Sequence, residues 1–179
     1  MKDQETPQKH TIANGTATLT ITCFVYGTLK RGFWNHDRFC RNAIDIRPAT
    51  TWGRLHQLPA GYPALEVPES AILAHGTADP FADAATQAHL AAHVPPHAAN
   101  HRPSGDWNLI HGELITFPDP LRDLPPIDRL EGFCPGAFCH YRRILLMAGI
   151  DGPTHPAWAY VGGASLEGQQ LLPGGRWPF

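Results

Sequence analysis

The chain has 179 residues, 42% hydrophobic and 17% charged, with a formal net charge of -2. That length can build a proper core within one domain and the composition excludes a disordered chain, while the charge gives no electrostatic reason to expect nucleic acid or an anionic membrane as partner. No apolar run approaches the roughly 20 residues of a membrane span, and residues 1–15 lack the apolar centre of a signal peptide, so a cytoplasmic location is expected.

Residues 1–16 are polar and read as a flexible tail, leaving 17–179 as a single domain. The first strand is predicted over 18–26, where a β-branched and aromatic run stops at Tyr26-Gly27-Thr28-Leu29. Gly27 allows a sharp bend or a close approach. The turn leaves amides at Gly27, Thr28 and Leu29 that no following strand consumes, and such amides can hold a carboxylate or a developing oxyanion. A short helix is expected over 35–42. One or two strands follow over 44–58, with Pro48 at an edge or bulge. Gly61-Tyr62-Pro63 reads as a turn and 64–67 as a brief strand.

Residues 74–107 are rich in alanine, proline and histidine. Residues 83–93 can form a helix that Pro95-Pro96 must end. The favoured reading of the segment is a surface excursion; the alternative is a lid beside a site, since long insertions in compact domains are often functional. Residues 109–117 alternate, with Leu109, His111, Glu113, Ile115 and Phe117 on one face. Residues 120–131 are expected to hold a helix whose real start is Pro125 or Pro126, because proline suits a first turn, with Gly132 as its stop. Two strands, 142–148 and 157–161, complete the chain.

Among the chemistry-bearing residues, Glu131 stands at a helix end beside a glycine, where most glutamates are solvated surface groups. The cysteines Cys23, Cys40, Cys134 and Cys139 contain no Cys-x-x-Cys spacing and are expected to be free thiols, a Cys134–Cys139 disulfide being the alternative. Of eleven histidines, His89, His93, His97 and His101 recur every fourth residue. Pro95 and Pro96 interrupt the helix before a third could join the first two, so a solvated face is expected and no metal site. Cys139 and His140 are adjacent, which on a strand sends them to opposite faces and disfavours a nucleophile–base pair.

Taken together, Tyr26-Gly27-Thr28-Leu29-Lys30-Arg31-Gly32 with Asn35-His36, Gly61-Tyr62-Pro63-Ala64-Leu65, His111-Gly112-Glu113-Leu114, Leu130-Glu131-Gly132-Phe133 and Tyr141-Arg142-Arg143 resemble, in order, the motifs of the gamma-glutamylcyclotransferase-like family, and most of all its gamma-glutamylamine branch. The stretch 74–107 departs from that pattern as a long insertion, and Phe133 stands where a tyrosine is common. The resemblance implies an α+β fold, a small mixed β-barrel with a few short helices, whose first turn and glutamate helix share one mouth. It implies release of 5-oxoproline from a γ-glutamyl compound, with no cofactor and a small-molecule γ-glutamyl substrate as partner. Glu131 would be the general acid/base; Tyr26, Gly27, Thr28, Leu29 and Tyr141 would bind substrate, with Tyr26 either donating into the cavity or packing, and Arg143 would pair an acid such as Asp128. A non-catalytic metabolite-binding protein of the same fold and, from another class, a histidine-rich metal-binding or interaction protein are the alternatives. The amine half of the substrate and the oligomeric state stay open.

Overall fold

The computed structural model describes residues 19–95, 101–137, 139–149, 152–163 and 166–178. In chain order it contains β1 (Ile21–Val25), α1 (Trp34–Phe39), β2 (Asp45–Gln57), β3 (Pro63–Glu66), β4 (Ala74–His75), α2 (Pro80–His93), β5 (Asn108–Phe117), α3 (Pro120–Glu131), β6 (Tyr141–Gly149), β7 (Thr154–Gly162) and β8 (Gln170–Leu172). The tail expected over 1–16 and His97 lie outside the described residues.

Strands β2, β5, β1, β7 and β6 lie side by side in that order, and a bridge between Thr50 and Gly149 returns β6 to β2, closing a barrel. All its pairings are antiparallel except β1 with β7. The fold is therefore the small mixed barrel expected. The stretch expected to hold one or two strands forms one, β2 (Asp45–Gln57), whose distal part leaves the barrel to pair with β3 and β8. Pro48 keeps register opposite Glu113 on β5, its one ladder partner, so it occupies an edge position without a bulge.

Period-two alternation sorts side chains into two apolar clusters. Phe24, Tyr26, Ile110, Leu114, Ile144 and Leu146 fill the barrel. Ile21, Cys23, Val25, Ile115, Phe117, Leu145 and Trp158 face outward and are covered by Leu124 and Ile127 of α3 and Ala84 of α2. Gly112 is required where β5 meets β1: a Cβ there would lie 2.3 Å from the Val25 carbonyl oxygen.

Two expectations fail. Helix α3 begins at Pro120, not at Pro125 or Pro126, because the Asp119 side chain caps it by accepting from Arg122 N at 3.2 Å. Pro125 and Pro126 lie inside the helix. The carbonyls they leave without an i+4 donor belong to Leu121 and Arg122, both exposed, where water can serve them.

The second concerns residues 74–107, whose described part is not surface excursion throughout. Their helix α2, capped by Asp79, buries Asp83, Ala84 and Gln87 against the barrel. Gln87 completes the ladder where β1 and β7 diverge: its amide donates to Thr22 O at 2.9 Å and Pro156 O at 2.7 Å, and its oxygen accepts from Thr22 N at 2.9 Å.

Candidate active site

Strand β1 delivers the Tyr26–Leu29 loop and α3 delivers Glu131 to one cavity of about 680 Å³. The loop closes as a turn, with Lys30 N donating to Gly27 O at 3.1 Å. Among the described residues, the amides of Gly27, Thr28 and Leu29 donate to no protein acceptor, as the strand-ending turn predicted. Gly27 has an ordinary φ, and its role is close approach: a Cβ there would sit 3.2 Å from Pro63 Cγ.

Two braces fix this loop. Helix α1 supplies Asn35, whose Nδ2 donates to Thr28 Oγ1 at 2.7 Å, and His36, whose Nδ1–H donates to Leu29 O at 2.9 Å. Strand β5 supplies Glu113, which accepts from the Arg31 backbone N at 2.9 Å and from Arg31 Nε at 2.7 Å. The expected one-sided alternation of β5 thus places Glu113 beside the loop.

Tyr26 resolves one open alternative. Its hydroxyl donates to Tyr160 O at 2.7 Å and accepts from Leu65 N at 3.1 Å, so the hydroxyl anchors three strands while the residue lines the cavity. Tyr141 also lines the cavity, with its hydroxyl donating to Pro63 O at 3.0 Å. Burial, and then the nearby Glu131 carboxylate, push that phenol up, so it stays a donor.

Glu131 is the last residue of α3 and is followed by Gly132 in the left-handed conformation (φ 62°, ψ 34°), the cap glycine expected. Among the described residues its carboxylate makes no hydrogen bond or ion pair. Desolvation by burial, and secondarily the charge of Asp128 one turn earlier, raise its pKa from 4.5 to about 7. Tyr26 and Tyr141 are the titratable groups that face it from the barrel.

Behind Glu131 lies a buried ionic network that the sequence disclosed only in part. The fully buried Arg143 of β6 donates to Asp128 of α3, to Asp83 of α2, and to Thr77 O at 2.9 Å. Tyr160 of β7 donates its hydroxyl to Asp128 Oδ1 at 2.7 Å. The guanidinium lies 4.4 Å from the centroid of the Phe133 ring, so the phenylalanine that stands where a tyrosine is common packs on a cation. The Arg143–Asp128 pair was expected. Asp83 was missed because its partner lies 60 residues away and nothing local distinguishes it from a solvated helix acid.

Trp34, Asn35, Tyr62, His140 and Gln169 also line the cavity. None had been singled out as a site residue, although Asn35 and Tyr62 sit inside quoted motifs. No described residue of 74–107 lines it, so the lid alternative finds no support in the lining. His89 and His93 stack at 4.2 Å on α2, and among the described residues no group of three or more His, Cys, Asp or Glu side chains could hold a metal ion. Cys139 donates to Cys134 O rather than to His140, and all four thiols are free. Among the described residues no helix is long and apolar enough to cross a membrane.

Two solved structures are similar at low identity. One is YkqA from Bacillus subtilis (19% identity, TM-score 0.49), matched over 88% of this chain and 39% of that one, so this chain spans well under half the length of that protein. The other is an AIG2-like protein from Mus musculus (17% identity, TM-score 0.44), matched over 79% of this chain and 76% of that one. No curated protein matches in sequence. The family model described as "Gamma-glutamyl cyclotransferase, AIG2-like" matches residues 23–92 and 80–179, running through the stretch expected to be an insertion. The chain belongs to this gamma-glutamyl cyclotransferase, AIG2-like family.

Proposed function

We propose that the protein converts a γ-glutamyl amine or γ-glutamyl amino acid into 5-oxoproline and the free amine. The observation that carries this reading is the pairing, in one cavity, of three unspent backbone amides with a carboxyl whose pKa lies at about 7. The amides of Gly27, Thr28 and Leu29 offer donors for the glutamyl α-carboxylate and for the oxygen of a tetrahedral intermediate. Ring closure is intramolecular, so proximity is supplied by the substrate and the protein must chiefly move protons.

The substrate ammonium loses one proton to solvent to become a nucleophilic amine. Its nitrogen attacks the γ-carbonyl carbon, forming the new C–N bond and placing the electron pair of the C=O bond on oxygen. Glu131 takes the second proton from the attacking nitrogen. As the carbonyl re-forms, the bond to the amine half breaks, and Glu131 returns the proton to the leaving nitrogen. The carboxylate ends as it began. A pKa near the working pH suits a group that must both take and give a proton. Tyr141, its hydroxyl held on Pro63 O, packs the wall beside this carboxyl.

The test is to incubate the protein with γ-glutamyl amides and γ-glutamyl amino acids and measure 5-oxoproline by mass spectrometry, alongside Glu131→Gln. Release by the wild type and a loss of at least about a hundredfold in the variant is expected. No release from any compound, or undiminished release by the variant, refutes the reading.

A further inference from the structure

The cavity has more wall than a glutamyl group uses. Its volume of about 680 Å³ falls in the range that houses drug-sized ligands, larger than this half of the substrate alone. With the Tyr26–Leu29 loop, Glu131 and Tyr141 assigned to the glutamyl half, the lining that stands away from the Glu131 wall includes Trp34, Leu58, Ala60, Tyr62, Leu166 and Gln169. They come from the start of α1, the β2–β3 turn and the segment between β7 and β8, and none carries a charge.

Two of these residues are unusual for their positions. Trp34 opens the six-residue helix α1 at 64% exposure, and Tyr62 sits on a turn at 53%. Neither ring belongs to either apolar cluster of the fold. A large exposed aromatic that packs into no core is informative when it edges a cavity, since burying it against a ligand recovers apolar area that folding left wet. The ionisable side chains of the lining besides Glu131 and the tyrosines, Arg129 and His140, belong to the wall that carries Glu131 itself: Arg129 lies two residues before it, and His140 Cβ would lie 3.6 Å from a Cβ on Gly132. The adjoining cavity, which shares Gly162, Leu166 and Gln169, is the charged one. There Glu66 takes a hydrogen bond from His56 Nε2 at 2.8 Å and pairs Arg54 at 3.7 Å, and Arg142 and Glu167 complete the charged lining of that cavity.

Resting on the cyclotransferase reading, we infer that the amine half of the substrate is uncharged and apolar, best an aromatic amine, and that Trp34 and Tyr62 are the residues that select it. The experiment compares kcat/KM for γ-glutamyl-benzylamide, γ-glutamyl-methylamide, γ-glutamyl-glycine and γ-glutamyl-ε-lysine in the wild type, Trp34→Ala and Tyr62→Ala. The benzylamide should exceed each of the other three by about tenfold or more, as expected for an added apolar group in a fitting pocket. In each variant the benzylamide-to-methylamide ratio should fall toward one. Equal turnover of all four compounds, preference for a carboxylate- or ammonium-bearing half, or a ratio that survives both substitutions overturns this inference and leaves the cyclotransferase reading standing. No 5-oxoproline from any of the four overturns both.

Discussion

Replacing Glu131 by Gln should abolish turnover and, at neutral and alkaline pH, stabilise the protein. The carboxyl titrates at about 7 in the folded chain against an ordinary 4.5. Below pH 4.5 both folded and unfolded chains hold this proton, and the carboxyl does not disfavour folding. Between 4.5 and 7 the unfolded chain releases it while the folded chain keeps it, so stability falls as pH rises; above 7 both are ionised and the full penalty applies. That penalty is roughly 3 kcal/mol from the difference between the two pKa values, and less to the extent that water entering the open cavity screens the charge. Glutamine keeps the shape and carries no titrating group. Urea denaturation of both proteins at intervals from pH 4.5 to 8 should show the wild type losing stability relative to the variant by up to about 3 kcal/mol over that window. Parallel pH profiles for the two proteins would refute both the raised pKa and the argument that it suits proton transfer.

The buried network offers a second test. Arg143→Met leaves Asp83 and Asp128 without their guanidinium and should destabilise by about 3–5 kcal/mol in chemical denaturation, since breaking a buried pair strands the remaining charges; a change below about 1 kcal/mol, the size of an exposed pair, would contradict the geometry. Deleting residues 74–107 and joining the ends with a short turn removes Asp83 and Gln87 together and should yield an unfolded chain by circular dichroism. A folded, active product would show that α2 is dispensable to the barrel.

The parts of the site that were legible in the sequence are those whose cause is local. The run of Ile21 to Val25 ends at a glycine, and a strand stopping there must leave amides unspent whatever lies elsewhere in the chain. Glu131 before Gly132 announces a helix end because glycine takes the left-handed cap without strain. What stayed hidden depends on partners far away. Asp83 and Gln87 look like solvent-facing polar residues of a helix until Arg143, Thr22 and Pro156 are brought to them across 60, 65 and 69 positions. Pro125 and Pro126 misled for a different reason. Asp119-Pro120 and the later prolines are both valid start signals; the Asp119 cap set the start, and the carbonyls of Leu121 and Arg122 that the later prolines leave without donors belong to exposed residues.

Several features of the position of Glu131 raise its proton affinity, and under the proposed reaction that is their use. A carboxylate in the last turn opposes the helix dipole, whose negative end lies there. Asp128 stands one turn earlier on the same helix with a charge of the same sign. The Asp128 charge is drawn toward Arg143 and Tyr160, so its repulsion is the smaller effect and desolvation in the cavity the larger. All three raise proton affinity together. The network therefore serves two ends with one arginine. It ties α3 to β6 firmly enough to hold an acid where water is scarce, and it neutralises Asp128 enough that the lifted proton can still leave near neutral pH.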